Sequence, residues 1–535
     1  MAAKILDRVS EIFQTPRPKV PGWTYDLLER LVCHTPTLLV ILESKVCVQL
    51  VNLLANEHPR VNRSARNTLP YIAQMLDDTP AIASKVLDHV LALLKSSSPE
   101  IRRWACSQVG ELARHESTLP TMLESKACVG LVSLLCDTHS DVVQSALYVL
   151  TDIAQKLEGA EAIVKAKVLD NVPESTESSC LEVREQTCIL IGMLVHHKSI
   201  LLTVLESKAF VRLLSLLHDE HPEVVWSATR ALSQIAEKLE GAQAIEKAKV
   251  LDNVSELIES LCLSAPHRAC TLIEAVVHHG SILLPVLESK AFAQLLSLLH
   301  NEDLEIVQRA TKALFQIAEK LEGAQALVES KVLDDISGLL ESSCWGVQYW
   351  ACTLIEELVY HESILPAVLE SKVSVRLFPL LHDKCSEVVQ SATRALSQIA
   401  EKLEGAQAIV KAQVLDNVSE LIESSCSSVR FWACILIDAL VHHESILPAV
   451  LESKTCAQLV AFLLWEATTS TNPYLALCVL REISEWPVGA AALIDMPVKF
   501  GGFEELCQSS DYVIQRAARS VLDDLARARS KQQIL

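Results

Sequence analysis

Few residues of this chain are of the kinds that build turn-rich or disordered proteins. Only 14 of its 535 residues are glycine and 19 are proline, and aromatic side chains make up 4%. Such a composition argues against collagen, disorder and turn-rich β architectures. Long hydrophobic runs are also missing, because the longest apolar stretches, residues 431–437 and 459–465, have seven residues each, whereas a membrane-spanning helix needs about 18. We therefore expect a helical protein without direct membrane insertion.

Positive charge is scarce as well. The chain has 47 basic against 67 acidic residues, a net charge of −20, and such a surface repels the phosphates of nucleic acids. The 17 cysteines are an odd number, the N-terminal segment does not resemble a secretory signal, and Ala2 stands where N-myristoylation requires glycine. We expect reduced thiols, no nucleic-acid partner, and a cytoplasmic location with the nucleus as the alternative.

Motifs of common catalytic and cofactor sites are absent from the sequence. It contains no phosphate-binding loop, no dinucleotide-binding glycine motif, no HExxH zinc motif and no GxSxG nucleophile motif. We therefore expect no enzyme activity, no catalytic residue, no metal and no cofactor.

The sequence does contain an internal repeat that covers nearly the whole chain. The string KVLDNV begins at Lys167 and again at Lys249, with variants at Lys4, Lys85, Lys331 and Gln413, in steps of 81 or 82 residues. A second string, LESK, lies between them. Its lysines are Lys45, Lys126, Lys208, Lys290, Lys372 and Lys454. The unit is about 41 residues long and alternates between two types, which gives twelve units and a thirteenth near the C-terminus.

Each unit predicts three helices: a middle one, a long one and a short one. At Ser98, Pro99 and Glu100 a long helix is expected to begin, because these residues supply an N-cap, an N1 proline and a first-turn acid. The long helices are expected to end at glycines that form a left-handed C-cap. These glycines are Gly159, Gly241, Gly323 and Gly405. On the long helix that contains Arg394, small and branched apolar residues form one face, while Ser391, Arg394, Gln398 and Glu401 form an opposite polar stripe.

These segments resemble the armadillo repeat family, whose second helix is similar to VSVRLFPLLHD and whose third and following first helices are similar to SATRALSQIAEKLEGAQAIV. HEAT repeats are the alternative, but they lack the short helix that GAQAIV predicts. The resemblance, which includes β-catenin, importin-α-like and fungal vacuolar members, implies an all-α, right-handed α-solenoid superhelix of about 13 repeats with long helices lining a concave groove. It implies capping or irregular repeats at the ends: residues 1–44 with a Pro-rich insert, regular repeats 45–453, an irregular repeat with a loop insert 454–496, and a capping repeat with tail 497–535.

The chain departs from the family pattern at two places. Importin-α-like members clamp an extended peptide with tryptophan and asparagine, where this chain has cations and glutamines, so a basic signal peptide is not the expected ligand. Lysine also replaces the glycine between the first two helices, so we expect an altered turn. The candidate groove residues are Arg230, Gln234, Lys312, Gln316, Trp350, Glu357, Arg394, Gln398 and Trp432.

Other recurrent residues have both structural and functional interpretations. A histidine near the end of the long helix recurs in odd units, and we interpret it as a cap of that helix's own carbonyls. The HE pairs among them also suggest, weakly, the di-iron hydroxylases built from HEAT repeats. Cysteines eight residues apart have the wrong spacing for zinc, and the second of each pair is expected in the core. A recurrent tryptophan is interpreted either as helix packing or as an interface anchor. The histidines are His34, His115, His197, His279, His361 and His443, the tryptophans are Trp23, Trp104, Trp350 and Trp432, and the cysteine pairs begin at Cys180, Cys262, Cys344 and Cys426.

The function predicted from these features is a non-catalytic, monomeric scaffold. Its groove would bind an extended or helical segment of a partner protein with mixed or acidic charge, since the acids Glu111, Asp152 and Glu357 alternate with the cations. The alternatives are a membrane-associated adaptor of the vacuolar armadillo type and, less favoured, the HE-motif di-iron hydroxylase.

Overall fold

A computed structural model describes residues 87–88, 90–114, 119–259, 265–371, 373–469, 474–495, 506–508 and 511–532. The regular secondary structure of these residues is helical, and none of them forms a strand. The predicted all-α solenoid is therefore confirmed. Several features of the sequence lie outside the described residues. They are the first 44 residues with the Pro-rich insert, Trp23, His34, His115, Cys262, Lys372 and the tip of the irregular loop at residues 470–473.

The chain divides into two compact units, Met1–His279 and Gly280–Leu535. Each is built around a row of long helices, which we number in chain order. In the first unit these are α1 (Pro99–Arg114), α2 (Ser140–Ala154), α3 (Leu181–His196), α4 (Pro222–Ala236) and α5 (Ala265–Val277). In the second unit they are α6 (Leu304–Ala318), α7 (Trp345–Tyr360), α8 (Ser386–Ala400), α9 (Ser427–Val441), α10 (Tyr474–Glu485) and α11 (Tyr512–Gln532).

A short helix and a middle helix precede each regular long helix, as the repeat pattern predicts. The short helices are Leu119–Glu124, Leu157–Lys165, Lys198–Glu206, Leu239–Lys247, Leu283–Glu288, Leu321–Glu329, Leu365–Glu370, Leu403–Lys411, Leu447–Glu452 and Pro487–Asp495. The middle helices are Ala127–Ser133, Val168–Thr176, Lys208–Ser215, Val250–Glu259, Lys290–Ser297, Val332–Leu339, Val373–Leu377, Leu415–Leu421 and Thr455–Thr469. Turns of 3₁₀ helix lie at Leu134–Cys136, Leu216–His218, Gly280–Ile282, Leu298–His300 and Phe378–His382.

Helices of one kind pack on the same kind in the next repeat. Within each unit every long helix contacts the following long helix, and short and middle helices form rows of their own. On α8 the apolar face predicted from the sequence is fully buried: Ala392, Ala395, Leu396 and Ile399 expose 0% of their surface. The polar stripe is less exposed than expected, since Ser391 is also buried and donates its hydroxyl to the carbonyl of Val388 at 3.0 Å. Ser391 is therefore part of the core.

Glycine does not form the predicted left-handed caps. The long helix α6 ends at Ala318 with a right-handed residue after it, and no described glycine has a positive φ. Gly323 instead lies in the first turn of the next short helix, where a Cβ atom would stand 2.0 Å from the carbonyl oxygen of Ile317. The same contact recurs at Gly159, Gly241 and Gly405. These glycines are required because the short helix crosses directly over the end of the long helix.

The left-handed residues stand at the KVLD markers. Lys167, Lys249, Lys331 and Gln413 have φ values of 64°, 54°, 62° and 57°. Lysine there adopts the backbone conformation that glycine adopts most easily. The described residues of the LESK markers are not left-handed. Ser207, Ser289 and Ser453 are extended, and the side chain of Ser207 accepts a hydrogen bond from the Ala209 amide. The alternation of two unit types in the sequence is thus an alternation of two turns.

Three of the recurrent histidines cap a different helix from the one predicted. The backbone N–H of His361 donates to Leu358 at the end of α7, but its side chain binds the preceding long helix: Nε2 donates to the carbonyl of Ala318, the last residue of α6, at 2.8 Å. The equivalent bonds join His197 to Ala154 at 2.8 Å and His443 to Ala400 at 3.0 Å. Each bond therefore satisfies an orphan carbonyl at a helix end and ties two consecutive long helices together.

Candidate functional site

The nine candidate groove residues, which we call the long-helix stripe, lie on five of the long helices. Arg230 and Gln234 are on α4 in the first unit, and the others are on α6, α7, α8 and α9 in the second. Arg230 is exposed and the other eight are partly exposed. The two parts of the stripe are described separately.

In the second unit, Arg394 connects three consecutive long helices. Its Nε donates to the carboxylate of Glu356 on α7, and its guanidinium lies over the ring of Trp432 on α9, 5.8 Å from the ring centre. A charged pair and a cation–π contact share one side chain, and a cation over tryptophan contributes about 0.5–1 kcal/mol when exposed. Arg394 thus serves the packing of the stripe as well as its charge.

Lys312 and Trp350 form a second pair of the same kind. The ammonium of Lys312 on α6 lies 5.7 Å from the centre of the Trp350 ring on α7, and Phe315 contacts the same ring at 5.8 Å. The cations and the tryptophans, predicted as separate contacts of the groove, lie against each other in the structure. The sequence contained a sign of this pairing, because each tryptophan follows its cation by the same interval of 38 residues.

The first unit also has a cation–π contact, but here the tryptophan is on α4 and the neighbouring helix α5 provides an arginine. Arg230 lies 5.6 Å from the centre of the Trp226 ring, and Arg268 on α5 lies 5.2 Å from the same ring. Arg268 stands 82 residues before Trp350, at the position where other units have tryptophan. In this unit the tryptophan is therefore on α4 instead of on the following long helix. Sequence reasoning missed Trp226, and the arginine at the tryptophan position was the signal for it.

The three glutamines among the candidate groove residues contact other residues of this chain. Gln316 and Gln398 each donate Nε2 to a glutamate at the end of their own helix, Glu319 at 3.1 Å and Glu401 at 3.2 Å. Gln234 packs against α3, where its Oε1 would lie 2.5 Å from a Cβ placed on Gly192. In these three cases the side-chain amide contacts other residues of this chain, so fewer of its hydrogen-bonding groups remain for a ligand.

Acidic groups accompany the cations. Burial, followed by the neighbouring charge of Glu319, raises the pKa of Glu357 above its ordinary value. Burial, followed by Glu482, does the same to the pKa of Asp438 on α9. In the first unit Arg114 contacts both Glu111, at 2.9 Å, and Asp152, at 3.0 Å. The stripe therefore carries charges of both signs.

The remaining recurrent residues have structural partners or are buried. Nε2 of His361 binds a backbone carbonyl and Glu362 pairs with Lys402, so this HE pair is held by contacts within the chain. Among the described residues no group of three histidine, cysteine, aspartate or glutamate side chains converges to hold a metal. The second cysteines of the pairs are buried, as predicted, and Trp104 is buried in α1. Those thiols are Cys188, Cys270, Cys352 and Cys434.

None of the described helices combines the length and the apolar character required to cross a bilayer.

Comparison with known proteins supports a helical repeat solenoid. The crystal structure of an engineered protein superimposes with a TM-score of 0.56 at 22% identity, covering 82% of this chain and 98% of that chain. A structure from work on a phosphorylation switch in the interaction between cadherin and β-catenin gives a TM-score of 0.47 at 14% identity, covering 90% of this chain and 99% of the other. That second score is too low to support an inference. The first shows the fold alone.

Sequence comparison finds two partial similarities. Residues 71–282, less than half of the chain, match the family model described as "Proteasome non-ATPase 26S subunit". Protein ILITYHIA of Arabidopsis thaliana is 26% identical over 160 residues, which is 29% of this chain. The match spans only 6% of the length of that protein.

Proposed function

We propose that this protein is a non-catalytic scaffold of the armadillo type that binds an extended or helical segment of a partner protein along its long-helix stripe. The observation that carries the proposal is the row of cation–tryptophan pairs on consecutive long helices: Lys312 with Trp350 and Arg394 with Trp432. Tryptophan and arginine are the residue types that most often anchor protein interfaces. A row of them at a repeating interval suits an extended ligand better than a small molecule.

The charges of the stripe favour a partner of mixed sign. Arg230 is the most exposed of the cations and can pair with an acidic residue of the partner. Glu357 and Asp438 are half-buried carboxylates beside other acids, so a basic residue of the partner would relieve their repulsion. We propose a partner whose acidic and basic residues alternate along the bound segment, and a monomeric scaffold that works in the cytoplasm or the nucleus.

The test removes two cations of the stripe and leaves the pair of Arg394 with Glu356 in place. Arg230→Ala and Lys312→Ala are combined in the full chain, while Arg394 is kept because its replacement would strand Glu356, a half-buried carboxylate. The control combines Lys165→Ala and Lys247→Ala, two exposed lysines at the ends of short helices. Both variants keep the same net charge as each other. Affinity purification with quantitative mass spectrometry then compares what each variant and the wild type retain.

We expect the stripe variant to retain the main partner at least about tenfold less than the control, since loss of an interface anchor costs about 1.4 kcal/mol or more. The proposal fails if the two variants retain the same proteins in the same amounts, provided that circular dichroism shows equal helicity.

A second candidate concerns the identity of the partner. The match of residues 71–282 to a family of 26S proteasome non-ATPase subunits favours an association with the 26S proteasome. The experiment is sedimentation of the purified chain with purified 26S proteasome. Co-sedimentation of the wild type and of the Lys165→Ala, Lys247→Ala control with the proteasome would support this association. A chain that sediments separately from the proteasome would count against it. A membrane-associated adaptor would instead be recovered with membranes, and a di-iron hydroxylase would contain about two irons per chain by elemental analysis.

A further inference from the structure

Lysine stands at each junction between a short helix and a middle helix in the described part of the first unit. We call these residues the junction lysines, and they recur every 41 residues: Lys126, Lys167, Lys208 and Lys249. All four are exposed, and among the described residues no ion pair involves any of them. The row thus has four positive charges that can each accept a carboxylate from outside the chain.

Lysine occurs at these junctions although the turn differs between them. Lys167 and Lys249 have left-handed φ values of 64° and 54°, whereas Lys126 has a φ of −84° and Lys208 begins its middle helix after an extended residue. Glycine adopts a left-handed φ most easily, and serine, threonine, aspartate or asparagine suits the start of a helix better. No single backbone requirement explains lysine at all four positions, so what the junctions share is the side chain.

The local electrostatics do not favour a cation at these junctions either. Each junction lysine precedes or begins a middle helix, whose N-terminus is the positive end of the helix dipole. The preceding short helix ends two residues earlier, and its negative end has the opposite effect. The two contributions oppose each other, so neither explains the lysine. Departures from local preference of this kind are expected at functional sites.

The packing of the short helices sets the distance between the junction lysines. Each lysine follows the end of its short helix by two residues. These short helices contact one another in sequence: Leu119–Glu124, Leu157–Lys165, Lys198–Glu206 and Leu239–Lys247. Since packed helices lie about 8–10 Å apart, successive junction lysines are about 10 Å apart along one edge of the unit.

An α-helix with an acidic residue at every seventh position matches this interval. Seven residues of a helix rise about 10.5 Å and return the side chain to nearly the same face. Three residues of a β-strand also cover about 10 Å, but the third side chain points to the opposite face of the strand. The interval between the cations therefore favours a helical ligand over a β-strand.

Exposed valines beside two of the junction lysines indicate that this helix is amphipathic. Val129 and Val211 lie on the middle helices, three residues after Lys126 and Lys208, and expose 56% and 63% of their surface. Residues three apart are neighbours on a helix surface. A ligand helix that pairs with the lysines can therefore cover the valines with apolar side chains.

Acidic residues on the same edge argue against a uniform polyanion. Glu124 and Glu206 precede two of the junction lysines by two residues, and Asp170 and Asp252 follow the other two by three. All four acids are exposed. They repel the continuous charge of a nucleic-acid backbone or an anionic membrane. A protein helix can instead bring single carboxylates to the lysines and place neutral or basic residues opposite the acids.

We propose that the junction lysines of the first unit bind an amphipathic α-helix of a partner protein whose acidic residues recur at every seventh position. Each carboxylate pairs with one lysine, and apolar residues of the helix cover Val129 and Val211. In the second unit Gln413 interrupts the corresponding row. The site uses no residue of the long-helix stripe, and the lysines replaced in the control of the stripe test are not among the four. The two proposals can therefore fail independently.

Fluorescence anisotropy of labelled peptides with the full chain tests the proposal at low ionic strength, because salt screens exposed charges. The heptad peptide is four copies of Glu-Ala-Gln-Leu-Ala-Gln-Ala. A second peptide has glutamine in place of the glutamates. A third has the same composition with glutamate at every fifth position, which distributes the carboxylates around the helix. Inorganic polyphosphate and vesicles of phosphatidylserine with phosphatidylcholine represent the other anions.

Three double variants separate the charge of the junction lysines from their place in the fold. Lys167→Gln with Lys249→Gln removes two of the four cations, and glutamine fits there because Gln413 has a left-handed φ of 57°. The matched control, Lys198→Gln with Lys238→Gln, removes the same charge at the opposite ends of short helices. Lys167→Gly with Lys249→Gly removes the cations and also favours the left-handed turn.

We expect the heptad peptide to bind saturably, at least about tenfold more tightly than the glutamine peptide and about fivefold more tightly than the peptide with altered spacing. Loss of two exposed ion pairs in the Lys167 and Lys249 variants should weaken its binding about fivefold. The control variant should bind it as the wild type does. The glycine variant should melt at the wild-type temperature or above it.

Equal binding of the heptad peptide and the peptide with altered spacing, or an equal loss in the control variant, would overturn the proposal. A lower melting temperature of the glycine variant would show that the lysines serve the fold and would overturn it as well. Tighter binding of polyphosphate or of the vesicles than of the heptad peptide would overturn the assignment to a protein helix.

Discussion

Replacement of Gly323 by alanine tests how the repeats turn. The intrinsic helix scale favours alanine over glycine by about 1 kcal/mol, so a reading of the sequence alone predicts stabilisation inside a helix. In the structure, however, the new Cβ would stand 2.0 Å from the Ile317 carbonyl oxygen, and 2.8 Å from its carbonyl carbon. The short helix would have to move by about 1 Å to restore contact distances, and overpacking of this kind costs about 3 kcal/mol. We expect a net loss of at least about 2 kcal/mol.

Gly338 is the matched control. It lies in the middle helix Val332–Leu339 of the same unit, it is exposed, and a Cβ there would meet no atom within 4 Å. Gly338→Ala is therefore expected to stabilise the chain by up to about 1 kcal/mol. For a unit of this size 1 kcal/mol corresponds to about 2–4 °C. Thermal melts should show Gly323→Ala at least about 4 °C below the wild type and Gly338→Ala at or above it.

Hydrogen exchange identifies where Gly323→Ala acts. Faster exchange confined to the end of α6 and the following short helix is expected, because stability in a repeat array is largely local. Equal or higher melting temperature of Gly323→Ala would refute the close approach of the two helices.

Four further outcomes are expected. His361→Ala should lower the free energy of unfolding in urea by about 1–3 kcal/mol, since the carbonyl of Ala318 loses its donor; an unchanged midpoint would contradict this bond. Lys331→Gly should raise the melting temperature, by up to about 1 kcal/mol in stability, because it relieves a φ of 62°; a lower temperature would show that lysine is not strained there. Burial raises the pKa of Glu357, so its folded state holds a proton more tightly and the wild type loses stability as pH rises through the ordinary to the raised pKa. The stability of Glu357→Gln relative to wild type should then increase from pH 4 to pH 7 in parallel denaturation curves, and a constant difference would count against the shift. Melts with and without reductant should superimpose, since burial raises the pKa of Cys352 to about 12 and the thiol is free; a large drop on reduction would reveal a disulfide.

Much of the fold could be predicted because the repeat is visible in the sequence as motifs that recur at a fixed interval. Residues such as Ala392 and Leu396 recur at helical spacing, and the structure buries them on α8. The helix start at Pro99 follows from its N-terminal signals. Both features depend on residues close together in the chain, where periodicity and capping chemistry act directly.

The candidate site was predicted less completely. The residues named from the repeat lie on the long helices, but which side chain contacts which was open. Arg394 joins Glu356, 38 residues earlier, and Trp432, 38 residues later. Such contacts depend on the distance and angle between neighbouring helices, which no local pattern states.

The sequence by itself determined the all-α class, the length of the unit, its two alternating types and the apolar faces, because each follows from local periodicity and composition. Only the tertiary structure decided what the residues at the junctions between helices contact and which conformation they adopt. Gly323 lies where two helices cross instead of in a left-handed turn, Lys331 adopts the left-handed conformation, and the side chain of His361 caps the preceding long helix instead of its own. The physical reason is the same in all three cases: a residue at a repeat junction contacts the next or the preceding helix, and the position of that helix is set by packing of the whole row.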